Sequence, residues 1–283
     1  MTGPVPPLVV VPAHDEERVV ARCVRALLDG AGAAELRVVV VSNGSRDATV
    51  ERARAAVRPG ELVEVVETAA ASKVGALRLG LARADGAAVL VVDADVVVPV
   101  GTARELIRAV RGPGAWVAGA RPVLDTSGAS WVVRRYYRVW QELPYVRGGV
   151  IGTGVFALSA DAVVQIGTFP DVVNDDGWVR RRFPAEQRRL VDAPFTVVAA
   201  RTARALTARR ARVLNGNRQL DAELGPDPEG GTWAVVGRGL ADRSFGPLDA
   251  ATFVLVTAVT RLRAAARRRR GDTGWSTDAT SRA

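Results

Sequence analysis

Four residue types are almost missing from this sequence: cysteine, histidine, methionine and lysine occur once each. A single cysteine, Cys23, excludes an intramolecular disulfide and any thiolate metal site. A single histidine, His14, excludes a multi-histidine metal centre and leaves a Ser-His-Asp triad dependent on that residue alone. Long apolar runs are missing too, since none reaches the roughly 18 uncharged residues of a spanning helix. The start, MTGPVPPLVVVPAHDEE, has no basic region ahead of its short apolar stretch, so it does not read as a secretory signal. These absences lead us to expect a cytoplasmic protein, in solution or at the inner face of the plasma membrane.

What remains is globular. The 283 residues are 48% hydrophobic and 24% charged, enough for one large domain or two small ones with a sizeable core. The formal net charge is +9, which favours phosphate-bearing partners or an anionic membrane. Of the 39 basic residues only Lys73 is lysine, which fits a GC-rich coding bias. The bias makes the one retained lysine a candidate for a role arginine cannot fill.

Apolar runs at 8–11, 36–41, 62–67 and 87–93 read as buried strands. Helical periodicity separates them, with apolar residues 19, 20, 23, 27 and 28 on one face of the first helix. Further helices are expected at 45–57, 72–84 and 102–111. This alternation predicts an α/β fold with a mainly parallel sheet covered by helices on both faces. Ligands of such sheets bind beyond the carboxyl ends of the strands. Those ends carry PAHDEE (12–17), SNGSRDAT (42–49) and DAD (93–95). A Gly-Ser turn at a helix start offers N–H groups to phosphate or ribose. Paired acids at a buried strand end call for a cation or sugar hydroxyls, although DAD alone is most often a solvated turn. A Rossmann dehydrogenase is disfavoured because PAHDEE stands where GxGxxG would follow the first strand, and no P-loop motif occurs.

After residue 120 the pattern loosens. Residues 131–142 look helical and carry Trp131, Tyr136, Tyr137 and Trp140, for which packing is favoured over sugar stacking. A glycine-rich loop (146–159) runs into a strand, NDDGWVRRRF (174–183) opens a helix, and 201–214 reads as a basic helix. GPDPEGG (225–231) has linker composition. A helix pair, an arginine cluster (267–270) and a polar tail expected to be disordered (271–283) follow.

Taken together these residues resemble the family 2 inverting glycosyltransferases of the glycosyltransferase-A fold. VVVPAHDEE, VVVVSNGSRDAT and SKVGALRLGLARADGAAVLVVDAD match successive blocks of that family in order. The lone lysine falls on the family's motif lysine, while Asp15, Ser72 and Arg78 depart from its usual residues. GGVIGTGVFALS resembles the acceptor loop, VNDDGWVRRRF the segment with the catalytic base, and ARRARVLNGN the later basic motif. The resemblance implies a mixed, mainly parallel sheet and a catalytic domain over 1–224. A nucleotide-sugar half (8–120) and an acceptor half (121–224) would precede the 225–231 linker and a basic helical extension (232–270).

The resemblance also implies the chemistry, a hexosyltransferase-type reaction. The donor would be a nucleotide-diphosphate sugar and the acceptor a saccharide or a polyprenyl-linked hydroxyl, with Mg2+ or Mn2+ assisting. Asp95, with Asp93, would hold the metal. Ala13, Glu16, Asn43, Asp47, Lys73 and Asp93 would border the donor, with Arg209 and Arg210 at the diphosphate. Asp176 would be the general base, Asp175 would orient it or share its role, and their pairing should raise one pKa. His14 is expected as a loop residue hydrogen-bonded near the nucleotide.

Two other classes stand beside this reading. A sugar-phosphate nucleotidyltransferase would open on a G-x-G-T-R loop, which is absent. A basic nucleic-acid-binding protein would need phosphate-facing positive charge where this chain has acids, so no nucleic-acid partner is expected. Finally, the helical wheel of 247–270 puts Leu248, Ala251, Leu255, Val259, Leu262 and Ala266 on one face. That segment is expected either to lie in a membrane interface or to dock on the protein's own core or a partner subunit.

Overall fold

The computed structural model describes residues 5–147, 153–227 and 232–270. The expected linker therefore lies partly, and the expected tail wholly, outside the described residues. Four parallel pairings and three antiparallel ones make a mixed sheet of eight strands in the order β3-β2-β1-β4-β7-β6-β8-β5. The strands are β1 (Leu8–Ala13), β2 (Arg37–Asn43), β3 (Leu62–Thr68), β4 (Val89–Val92), β5 (Val96–Val97), β6 (Val117–Asp125), β7 (Val155–Leu158) and β8 (Arg188–Val198). Helices α1 (Val20–Leu28), α2 (Thr49–Ala55), α3 (Lys73–Leu81) and α4 (Val100–Arg111) belong to the first half. They are followed by α5 (Trp131–Trp140), α6 (Pro144–Arg147), α7 (Ala160–Ile166) and α8 (Asp175–Arg182). The chain closes with α9 (Ala203–Leu224), α10 (Thr232–Ala241) and α11 (Pro247–Arg269).

The α/β expectation holds, and the reason is visible in burial. Strands β1, β4 and β7 are buried at every position, because helices cover both faces of the central sheet. One core packs Val9, Val11, Leu90 and Val92 against Val20, Val24, Leu27 and Leu106. The other packs Leu8, Val10, Val89 and Phe156 against Leu77, Phe169 and Val179. Strand β3 stands at the sheet's edge and alternates in exposure instead. Cys23 is buried in the first core, and burial pushes its thiol pKa up, so it is an inert packing group.

Three strands were not legible. β6 and β8 run parallel over nine residue pairs with a register shift after Ala120, and β5 pairs with β8. Their sequences, VAGARPVLD and RRLVDAPFTVV, carry proline and charge, and their outer halves are exposed. Helix ends also differ from expectation: α2 starts at Thr49 rather than Ser45, and α9 continues to Leu224 rather than 214. A third hydrophobic cluster joins α5, α9, α10 and α11. Within it Tyr136 stacks on Phe253, while Trp131 is left 55% exposed rather than packed.

Close approach fixes Gly80 of α3 against β1, since a β-carbon there would sit 2.3 Å from Val10 Cγ1. Gly80→Ala is expected to lower stability by about 1–3 kcal/mol through overpacking. Gly101→Ala, in α4 with open space around it, is expected to add about 0.5–1 kcal/mol. Urea unfolding of both variants checks the contrast.

Candidate active site

A cleft of about 390 Å³ opens where β1, β2 and β4 end, walled by α8, α9 and α11. Asn43 locks the first two strand ends together: its Nδ2 donates to the Ala13 carbonyl at 2.8 Å, and its own carbonyl lies 2.6 Å from His14 Nδ1. Asp15 adopts a left-handed conformation (φ 52°), which short polar side chains tolerate, and its carboxylate accepts from the Arg46 N–H at 2.8 Å. The Glu16 N–H donates to Thr49 Oγ1 at 2.7 Å, which ties the first loop to the start of α2.

Lys73 is the first residue of α3, just after Ser72, whose hydroxyl caps the helix by accepting from the Gly75 N–H. Its Nζ lies 2.6 Å from Asp93 and 2.9 Å from Asp175. One buried ammonium thus ties the end of β4 to the start of α8. Asn174 caps α8 by accepting from the Gly177 N–H. Asp176, next along, accepts from the backbone N–H of Gly154 at 3.2 Å and of Gly177 at 2.9 Å. Gly154 has φ +80°, and a β-carbon there would stand 2.5 Å from Asp93 Oδ2, so only glycine lets this loop pass between the two acids.

Burial raises the pKa of Asp93, Asp175 and Asp176, with Lys73 pulling each back down. Asp176 further raises Asp175, and Asp93 further raises Asp176. Burial works against the Lys73 ammonium, but Asp175 and Asp93 outweigh it and hold its pKa high. The expected elevation of one carboxyl of the Asp175–Asp176 pair is therefore an elevation of both, set chiefly by desolvation rather than by their mutual repulsion.

Of the residues singled out from the sequence, Glu16, Asn43, Lys73, Asp93, Asp95, Asp175, Asp176, Arg209 and Arg210 all line this cleft. Ala13 and Asp47 do not. Ala13 is buried in the first core and contributes a carbonyl to Asn43. Asp47 is spent on local structure, accepting from the N–H groups of Thr49 and Glu17. Arg180, Arg212 and Asn217 line the cleft without having been assigned to it. Arg180 is buried and ion-paired with Asp227 of the expected linker, whereas Arg181 turns away to Asp221. Only helical direction separates these neighbours, and composition does not report it. Tyr137 and Trp140 both pack in the third cluster and line the cleft. Residues 148–152 of the expected acceptor loop lie outside the described residues.

Among the described residues no three carboxylate, imidazole or thiol groups converge on one point as a ready metal cage. Asp95 lines the cleft beside Asp93, where its carboxylate acts electrostatically on Arg212. This donor set fits a hard divalent cation that takes its remaining oxygens from a ligand. Opposite the acids stand Arg209, Arg210 and Arg212 of α9, where burial and Arg209 together lower the Arg212 pKa. Acids on one wall and arginines on the other can hold a ligand that carries both a metal-bound and a free anionic group.

A mixed sheet with its acids at the strand ends and a helix-borne acid pair joined to them through one lysine define the glycosyltransferase-A class. The family model for glycosyl transferase family 2 matches residues 8–157, and the chain belongs to that family. It is a glycosyltransferase. Among solved structures it is similar to the mannosyltransferase PcManGT from Pyrobaculum calidifontis in complex with GDP-Man and Mn2+. That match has 22% identity and a TM-score of 0.60, and covers 94% of this chain and 79% of that one. It is also similar to glucosyl-3-phosphoglycerate synthase from Mycobacterium tuberculosis in complex with Mn2+, UDP and glucosyl-3-phosphoglycerate. There the identity is 20% and the TM-score 0.57, over 79% of this chain and 81% of that one. No curated protein matches the chain.

Removing Lys73 would strand the buried Asp175 carboxylate and the half-buried Asp93 beside it. Lys73→Met is expected to cost about 3–5 kcal/mol of stability near neutral pH. The deficit should shrink as pH falls, because protonated Asp93 and Asp175 need no cation. Urea denaturation at several pH values measures both effects.

Proposed function

We propose that this chain is an inverting glycosyltransferase that moves a sugar from a nucleotide-diphosphate donor to an acceptor hydroxyl, with Asp176 as general base. One observation carries the reading: Asp176 faces the same cleft as the DAD acids, held by two backbone N–H groups that leave its charge to be used on a ligand. In this reading Glu16, Asn43 and Lys73 border the donor, with Ala13 and Asp47 shaping that border from behind. Arg209 and Arg210 meet the diphosphate. Asp95, with Asp93, would hold Mg2+ or Mn2+, which when bound would supply positive charge to the diphosphate. The Mn2+ and nucleotide named with both similar structures support that assignment.

The chemistry follows from one carboxylate. Asp176 accepts the acceptor's hydroxyl proton while the oxygen attacks the anomeric carbon from the face opposite the leaving diphosphate, so configuration inverts. A double displacement would need a second carboxylate placed as nucleophile. Asp175 is committed to Lys73 and serves to set the position of Asp176. The raised pKa of Asp176 makes it a stronger base than a solvated aspartate. The acceptor class is a saccharide or a polyprenyl-linked hydroxyl.

Asp176→Asn is expected to lower kcat by about two to four decades while donor affinity stays near normal. In the parent enzyme the acid limb of the kcat/KM profile should lie above the ordinary aspartate value of 3.8, with activity lost as pH falls through it. Steady-state kinetics against pH, with direct nucleotide-sugar titration, tests both.

Asp95→Ala is expected to abolish the Mn2+-dependent part of donor binding. In the parent the cation should bind tightly only with nucleotide present. Calorimetric titration of UDP or GDP sugars with Mn2+ and with EDTA measures this, and full activity in EDTA would remove the cation from the mechanism.

A further inference from the structure

Helix α11 has two faces with different fates. Phe253, Val256, Thr260 and Ala264 are buried against the rest of the protein, and Phe253, Thr257 and Thr260 wall the cleft. The segment thus docks on the protein's own core, one of its expected placements. The opposite face does not. Leu248, Leu255 and Leu262, seven residues apart, are 54%, 65% and 72% exposed, with Ala251 and Ala258 exposed between them. Isolated surface leucines are ordinary, but leucines aligned over four turns of one helix make a continuous apolar stripe. The next position at the same spacing is Arg269, exposed, with Arg268 and Arg270 beside it. The only acid on the helix, Asp249, is buried and held by Arg135 at 2.9 Å. The same Arg135 guanidinium lies 5.8 Å from the ring of Trp131, which puts this exposed indole beside the start of α11.

We propose that the exposed face of α11 lies in the interface of an anionic membrane. The leucine stripe and Trp131 would enter the headgroup–acyl boundary, and Arg269 and Arg270 would pair with lipid phosphates, while Arg268 is held by Asn215 of α9 at 2.8 Å. Charge selects this occupant over a second copy of the chain. In a parallel self-pair the arginine ends would meet, and in an antiparallel one they would face a helix start whose single acid is already engaged. Lipid phosphates supply the counter-charge that α11 itself lacks on this face. The helix is about 10 Å across, so the cleft behind it would sit within that distance of the membrane plane. This deepens the proposed function by selecting a lipid-linked acceptor over a free saccharide, and in that respect rests on it. None of the described helices is long and apolar enough to cross a membrane, so contact would be from one side.

The test is sedimentation of the full chain with vesicles of pure phosphatidylcholine or of phosphatidylcholine with phosphatidylglycerol, at low salt. Binding is expected only to the anionic vesicles. It should fall about fivefold for each of Arg269→Gln and Arg270→Gln, and be lost in Leu255→Glu/Leu262→Glu. These sites are exposed, so an unchanged melting temperature would show that the double variant is folded. Failure to bind anionic vesicles, equal binding to neutral ones, or binding unaffected by the leucine changes would overturn the proposal. A concentration-dependent dimer abolished by the same leucine changes would overturn it in favour of a second copy. Nucleotide-sugar titration reads the donor site separately: vesicle binding without donor binding would leave the membrane face standing and sink the transferase reading of the cleft.

Discussion

The Lys73 ammonium is the contact on which the architecture of the cleft depends. Two aspartates, Asp175 and Asp176, are buried beside the half-buried Asp93, and isolated charges cannot be buried without a partner. Lys73 meets two of them directly and lowers the pKa of all three. Because it opens α3, its position is set by the Ser72 cap, while its targets sit at the end of β4 and the start of α8. A local helix signal thereby anchors a contact between Lys73 and Asp175 that spans 102 residues of chain.

The cluster is still short of positive charge, with one ammonium among Asp93, Asp95, Asp175 and Asp176. The arginines of α9, which line the same cleft, offset part of the remainder. This imbalance readies the site for a ligand that brings a cation with it. It also explains why glycine stands at 154: the loop must bring its N–H to Asp176 while its α-carbon clears Asp93.

The helical layer of α5, α9 and α11 closes the cleft from the other side and gives the molecule a third apolar cluster apart from the sheet. Helix α11 serves the cleft with one face and presents leucines outward with the other. Such a helix cannot be understood from its apolar content alone, because burial of one face leaves the second to be explained by what surrounds the protein.

The first half of the fold was legible because its signals are local. Continuous valine runs on β1, β2 and β4, helical periodicity between them, and polar residues at their ends follow from what each short segment must bury. The lone lysine stood out by composition, whereas Asp175 and Asp176 were singled out by the resemblance of VNDDGWVRRRF to the family's base-bearing segment. Strands β6 and β8 could not, since they are defined by pairing with each other across more than sixty residues and carry proline and charge where a strand pattern should alternate. The outward turn of Asp47, the burial of Ala13 and the entry of Arg180 and Arg212 into the cleft depend on which way a given turn faces. Composition predicted that 247–270 is a helix with one leucine face, but it assigned no surroundings to that face. Only the packing of Phe253, Val256 and Ala264 against α5 and α9 decided that the leucines point outward, because a helix that docks by one stripe necessarily leaves the opposite stripe to the solvent or to a partner.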